Sequence, residues 1–316
     1  MGAYVVKRLL LTVPVVLGVS VLVFLMIRIV PGDIVDLMIG PELYVGPEYR
    51  AEMRAKYGLD QPIYIQYLSW VGQIAQGNFG TSLRNDEPVL GTILTRLPLT
   101  AELSLLSVLV SGAVAVPLGI VSAVKRNSST DFIARLIAIV GLSVPNFWLA
   151  AMLLLMTGVV FHWQPPLLLA PLWVDPLTNL QQMALPVVAL SLALMAIVMR
   201  MTRSSMLEVL RQEYIQTARA KGLMQNAIVV RHALKNAFIP VITVLGVQLG
   251  ALLGGTVVIE VIFGLPGVGR LVIDAISARD YPTLQGTVLF IAMLFAMVNL
   301  LVDVAYAYLD PRIRYA

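Results

Sequence analysis

The chain has 316 residues, 59% of them hydrophobic and only 13% charged, with a formal net charge of +4 and a mean hydropathy of +0.86. A soluble domain carries about a quarter of its residues as charges, so this composition excludes an ordinary globular protein and leaves no length for a soluble catalytic domain beside the spans. The absence of cysteine excludes disulfides, thiolate metal sites and cysteine nucleophiles, and His162 and His232 lie too far apart in sequence to suggest a metal cage.

The first apolar run, 9–30, follows Lys7 and Arg8 and is closed by Arg28 and Pro31-Gly32-Asp33. It is as long as a full span and has no small-x-small cleavage site, so the segment 1–30 is read as an uncleaved first transmembrane helix. Arg28 is expected to snorkel outward from its last turn.

Residues 31–98 form the one sizeable extramembrane region, with Asp33, Asp36, Glu42, Glu48, Glu52, Asp60, Asp86 and Glu87 all inside it. A short helix is expected over 49–57, then a turn at Asp60-Gln61-Pro62. Tyr67 and Trp70 share a helical face, which suggests an amphipathic helix lying at headgroup depth, or else a platform for a partner outside the membrane.

Five further runs follow, at 99–124, 132–161, 184–206, 237–259 and 284–309. Each can cross a hydrocarbon core of about 30 Å, which makes the chain an all-α polytopic membrane protein with about six transmembrane helices and residues 99–316 a five-helix core. Pro145 and Pro186 mark runs that could be tilted or broken. The loop 162–183, with its adjacent Pro165 and Pro166, is not expected to be a continuous helix.

Orientation follows from Lys and Arg. Lys7, Arg8, Lys125, Arg126, Arg135, Arg200, Arg203, Arg211, Arg219, Lys221, Arg231, Lys235, Arg312 and Arg314 crowd into short loops on one side. That side is expected to be cytoplasmic, with both termini inside. Within the runs stand Glu102, Asn146, Asn299 and Asp303, candidates for lining a translocation path; an outer-interface position for Glu102 and a local cap or pair for Asp303 are the favoured readings. Gly246, Gly250 and Gly254 recur every four residues, and packing within the chain is the favoured use of that smooth face over a dimer seam. Gly264-Leu-Pro-Gly-Val-Gly269 lacks the Gly-Lys-Ser/Thr ending of a phosphate loop and reads as a tight outer turn.

One segment is charged where its surroundings are apolar. In the cytoplasmic loop 207–238, Glu213, Thr217 and Ala220 fall on one helical face, small residues Thr217, Ala218 and Ala220 permit close approach, and Gly222 is a natural helix stop. A second helical stretch, 224–238, leads into the fifth span. From the residues alone this is either a docking knob or a solvated basic loop.

The stretch Glu213-Tyr-Ile-Gln-Thr-Ala-Arg-Ala-Lys-Gly222, with Arg231-His-Ala-Leu-Lys-Asn-Ala237 after it, resembles the cytoplasmic loop by which permease subunits of binding-protein-dependent ABC importers grip their ATPases. Ala218, Gly222 and Leu234 match the common loop pattern, and the departures are those of the dipeptide/oligopeptide/nickel branch. Three further stretches look like that branch: Lys7-Arg-Leu-Leu-Leu-Thr-Val-Pro14 with Arg28-Ile-Val-Pro-Gly-Asp33, Tyr57-Gly-Leu-Asp-Gln-Pro62, and Glu260-Val-Ile-Phe-Gly-Leu-Pro-Gly-Val-Gly-Arg270. The resemblance covers essentially the whole chain, and the long first loop is similar to that of the first of two paired permease types.

The resemblance implies a type I ABC importer permease in a bacterial inner membrane. It implies as partners a second homologous permease, two cytoplasmic ABC ATPases, an extracytoplasmic solute-binding protein and membrane lipid, with no nucleic acid. ATP and Mg would be bound by the ATPases; no cofactor and no bond chemistry are assigned to this chain. Glu213, Thr217, Ala218, Arg219, Ala220, Lys221 and Gly222 would couple the ATPases to the path. Short peptides are the expected substrates, with nickel chelates, glutathione or oligosaccharides as alternatives. A rival class, an ion-coupled carrier without ATPases, would use Glu102 and Asp303 as relays. A membrane-embedded hydrolase would need clustered Ser, His or Asp that the sequence does not provide.

Overall fold

A computed structural model describes residues 2–29, 35, 46–56, 58–166 and 168–309. Pro31-Gly32-Asp33, Asp36, Glu42, Tyr57, Arg312 and Arg314 lie outside the described residues. The elements are α1 (Gly2–Ile29), α2 (Pro47–Lys56), α3 (Ile63–Ala75), α4 (Val89–Val124), α5 (Ser129–Ser143), α6 (Asn146–Val160), α7 (Pro176–Val209) and α8 (Glu213–Ala220). They continue with α9 (Gln225–Gly255), α10 (Val257–Ile262), α11 (Val268–Ala278) and α12 (Tyr281–Leu309). Helix is the expected outcome in lipid, where each backbone N–H and C=O must be satisfied within its own segment.

Five of these helices are long and apolar enough to cross a membrane, and α5 with α6 makes a sixth span only as a pair bent by 98°. The third span is thus broken, one of the two outcomes that Pro145 left open. Val144 is extended (φ −85°, ψ 120°) because the Pro145 ring crowds a helical conformation in the residue before it. Pro186, by contrast, sits inside an unbroken α7. The second span also begins earlier than its hydropathy suggested: α4 starts at Val89, so residues 89–98, read as loop, are its first turns. At 1.5 Å per residue α4 is about 54 Å long and projects well beyond a hydrocarbon core.

The core is the α4–α7 pair. Ser104, Ser107 and Ser111 lie on one buried face of α4, and Ser191 of α7 donates to the Ser107 carbonyl at 3.1 Å. Small residues allow this because van der Waals contact, not water exclusion, drives helix association in lipid. At Gly119 the approach is closest: a Cβ there would stand 2.6 Å from Thr202 Cβ and 2.8 Å from the Met199 carbonyl.

Gly246, Gly250 and Gly254 of α9 all face α12, where added Cβ atoms would meet Val302, Asn299 and Ile291. The glycine stripe is thus an intrachain seam. Gly246→Leu, whose Cβ would lie 2.5 Å from Val302 Cγ2, is expected to push α12 away and cost about 3 kcal/mol. A thermal melt of the detergent-purified chain checks this; an unchanged midpoint would show that the seam is slack.

α1 packs along α12, and α3 lies across the far end of α1. Tyr67 and Trp70 do not project freely from α3; the face they share is turned onto α1. They pack on Phe24 with ring centroids 5.2 and 5.8 Å away, and the Tyr67 hydroxyl hydrogen-bonds Ser20 Oγ at 2.8 Å. Arg28 does not snorkel outward either. Its guanidinium turns back over the Phe24 ring at 3.4 Å and donates to the Phe24 carbonyl and to Gln66.

Candidate functional site

At one end of the bundle α7 stops at Val209 and the chain turns into α8, a helix of eight residues. Such a short helix is unstable alone and must be held by packing. Ile215 and Ala218 supply the anchor: both are buried, in a cluster with Ala123, Met206, Val209, Ile228, Val229, Ala233 and Ala237. The C-terminus is fixed by a Schellman turn, in which Leu223 N–H donates to the Ala218 carbonyl and Gly222 N–H to Arg219. That turn needs the left-handed backbone of Gly222 (φ +75°). Tyr214 pins the helix laterally, its hydroxyl accepting from Asn236 Nδ2 at 2.8 Å.

Of the seven residues expected to form a docking surface here, six are exposed and one is not. Glu213, Thr217, Arg219, Ala220, Lys221 and Gly222 are exposed on α8 and its cap. Ala218 is turned inward and belongs to the anchor. Met224 and Val230, exposed apolar residues the sequence reading did not single out, border the same surface. The start of α9 is a π-helical segment, Ile228–Ala233, directly against α8. Such turns loosen the regular hydrogen-bond ladder and are frequent at functional sites.

Above α8, Asp131 ties three helices together. It is wholly buried and accepts from Ser122 Oγ at 2.6 Å, from Arg203 Nε at 2.8 Å and Nη2 at 3.0 Å, and from the Asn127 N–H at 3.0 Å. The sequence signal was an N-cap serine, Ser128, whose hydroxyl accepts from the Asp131 N–H and opens α5. Arg203→Met is expected to leave this buried carboxylate with the half-exposed Arg135 guanidinium, 3.5 Å away, as its charge partner, at a cost on the order of 3 kcal/mol. Loss of protection at 122–131 in hydrogen exchange would register it, and unaltered exchange would contradict it.

At the opposite end a second buried carboxylate organises the glycine turn. Glu260 is fully buried, and its Oε1 accepts from the Thr100 and Thr256 hydroxyls, each at 2.8 Å. Its Oε2 accepts from the Arg270 N–H at 2.8 Å, while Thr100 Oγ1 accepts from the Val268 N–H at 2.9 Å. Gly267 and Gly269 leave room for the carboxylate: a Cβ on either would strike it. The glycine turn therefore cradles the chain's own side chain. Asp280, also buried, joins this end to the 80–84 loop through Ser82 Oγ at 2.6 Å and the Leu83 N–H at 3.1 Å. The sequence reading missed Glu260 as a buried charge, although Val257-Val-Ile-Glu-Val-Ile-Phe263 sets it between apolar triplets.

The four path candidates are not brought together. Asp303 pairs with Arg8 at 2.9 Å between α12 and α1. Asn299 lies in the glycine seam, its Oδ1 3.4 Å from where a Gly250 Cβ would be. Asn146 opens α6 at the elbow. Glu102 is within α4, and its buried Oε1 has no hydrogen-bond partner among the described residues.

Comparison with known proteins agrees in kind. Residues 115–315 match the family of binding-protein-dependent transport system inner membrane components, and residues 1–104 match the N-terminal model for such membrane components. The chain is 42% identical to a di/tripeptide transport system permease protein, DppB, of Pseudomonas aeruginosa, over 100% of this chain and 99% of that one. It is 39% identical to an oligopeptide transport system permease protein, AppB, of Bacillus subtilis, over 100% of both. A solved structure of the MetNI methionine ABC transporter in an inward-facing conformation aligns with a TM-score of 0.58 at 17% identity, covering 70% of this chain and 97% of that chain. This likeness speaks for the fold.

Proposed function

The chain belongs to the family of binding-protein-dependent transport system inner membrane components, and we propose that it forms half of the path through which di- or oligopeptides enter the cell. As a member of that family it is a multi-pass inner-membrane permease subunit of an ABC importer, a transport subunit and not an enzyme, and it works with other subunits. In our reading those are a second homologous permease, two cytoplasmic ATPases that bind ATP and Mg, and an extracytoplasmic binding protein that delivers the peptide. The α8 end and both termini face the cytoplasm, as the crowding of Lys and Arg there requires.

The observation that carries this reading is α8 itself. A short helix is bolted to the bundle by Ile215 and Ala218 while its charged and small residues point away from the chain. A solvated basic loop would not need that anchor. Closure of the ATPases on nucleotide would push Glu213, Thr217, Arg219, Ala220, Lys221 and Gly222; the load would pass through Ala218 and the π-helical start of α9 into the spans. Rocking of those spans would switch the path from outward to inward facing. The carrier alternative loses one of its two relays, because Asp303 is held by Arg8.

Gentle extraction of the tagged chain from its native membrane, with mass spectrometry of stoichiometric partners, tests the assembly. Two ATPases and a second permease are expected. Reconstitution with the accompanying binding protein should then give ATP-dependent peptide uptake. A chain that purifies alone after crosslinking, or uptake that survives loss of the ATPases, would overturn the reading.

A further inference from the structure

Beyond the α8 surface, the opposite end of the bundle holds an open recess of about 330 Å³ lined by Arg96, Leu168, Leu169, Gly264, Pro266, Arg270 and Asp274. Its walls are of two kinds. Leu168 and Leu169 are exposed apolar side chains, and Pro266 adds a third apolar surface. Facing them is a charged trio in which Arg96 Nη1 is 3.3 Å and Arg270 Nε 3.8 Å from the Asp274 carboxylate. Two guanidinium groups share one carboxylate, so the trio carries a net positive charge.

The trio is mounted on a rigid base. Arg270 begins α11 immediately after the glycine turn, and its N–H is held at 2.8 Å by the fully buried Glu260. Arg96 is on α4, which Thr100 ties to the same carboxylate at 2.8 Å. The backbones that carry the two arginines are therefore joined through the Glu260 cradle. A surface charge pair kept only for solubility needs no such support. Preorganised donors beside apolar walls are what a small amphiphilic ligand requires, and the recess volume is at the lower end of ligand pockets.

Resting on the peptide reading above, we propose that this recess receives the peptide terminus as it leaves the binding protein. The terminal carboxylate bridges Arg96 and Arg270, with Arg supplying paired N–H donors suited to a carboxylate. Asp274, relieved of part of its pairing, accepts the ammonium of a dipeptide, and the side chains lie against Leu168, Leu169 and Pro266.

The test uses the full complex in proteoliposomes with its binding protein loaded with a radiolabelled dipeptide. Leu169 is replaced by the photocrosslinker p-benzoyl-phenylalanine. Illumination is expected to transfer label to this chain, and the double substitution Arg96→Gln/Arg270→Gln to cut that label at least tenfold. A Leu169-substituted complex with both arginines intact that imports the dipeptide but leaves this chain unlabelled would overturn the recess assignment alone. So would label indifferent to the double substitution. A rise in the binding-protein concentration needed for half-maximal uptake, with labelling intact, would make the trio a docking patch for that protein and would equally overturn the peptide site. A wild-type complex that imports no peptide would instead sink the peptide reading itself.

Discussion

Charge reversal at Arg219 is expected to abolish ATP-driven uptake while leaving the permease folded. Arg219 is exposed on α8 and makes no side-chain hydrogen bond or ion pair among the described residues that its removal would break. Its loss should therefore change the chain's own stability by no more than about 0.5 kcal/mol. At an interface with an ATPase the same change sets a like charge or an unpaired one into a desolvated contact, which costs about 2–5 kcal/mol, or a fall in assembly of roughly thirtyfold to several-thousandfold. Ile215→Asp attacks the same element from beneath. It removes a fully buried anchor and puts a carboxylate among Met206, Val209 and Ile228, at a cost of at least about 3 kcal/mol. That should undock α8 and raise hydrogen exchange over 213–233, which Arg219→Glu should not do. Retention of uptake and of stimulated ATPase activity by Arg219→Glu would remove α8 from the coupling role.

Loss of Glu260 should be the most damaging single change at the other end. Glu260→Ala leaves the Thr100 and Thr256 hydroxyls and the Arg270 N–H without their acceptor in a site closed to water. A cost of about 3–5 kcal/mol is expected, read as a lowered melting midpoint of the purified complex. Glu260→Gln should fall between, since its amide can accept on one side only and its NH₂ would face the Arg270 N–H. Gly267→Ala should also destabilise, because its Cβ would occupy the position of the carboxylate. The double variant Glu260→Ala/Gly267→Ala should be less unstable than the sum of the two, since removing the carboxylate makes room for the methyl. Strict additivity would mean that the carboxylate does not sit in the glycine cradle.

The sequence by itself determined the membrane class, four of the spans as continuous helices, and a charged helical segment at 213–222 outside the membrane. The reason is that lipid allows few alternatives: a long apolar run has to be a helix, and a charged helical segment between such runs has to be outside them. The glycine stop at 222 was legible for a similar reason, since a left-handed residue has a local signature. The elbow at Pro145 and the unbroken passage through Pro186 were not separable, because both prolines sit in apolar runs and neighbouring helices decide which one bends. Nor could hydropathy show that α4 starts at Val89, since Leu97-Pro98-Leu99 reads like a boundary while Val89 and Ile93 are buried under α11 and Phe79.

Tertiary structure alone decided what each buried charge does. Asp303 was legible as an acid at membrane depth, but its partner Arg8 lies at the other end of the chain. Glu260 and Thr100 are 160 residues apart, as Ser82 and Asp280 are 198 apart. Asp131 meets Arg203 across 72. A lone acid in an apolar run signals that a compensating group exists, because an unpaired buried charge is too costly to keep. Which group compensates it is set by the packing of helices remote in sequence, and that packing turned Asp131, Glu260 and Asp280 into structural ties, paired Asp303 with Arg8, and left Ala218 an anchor instead of a contact.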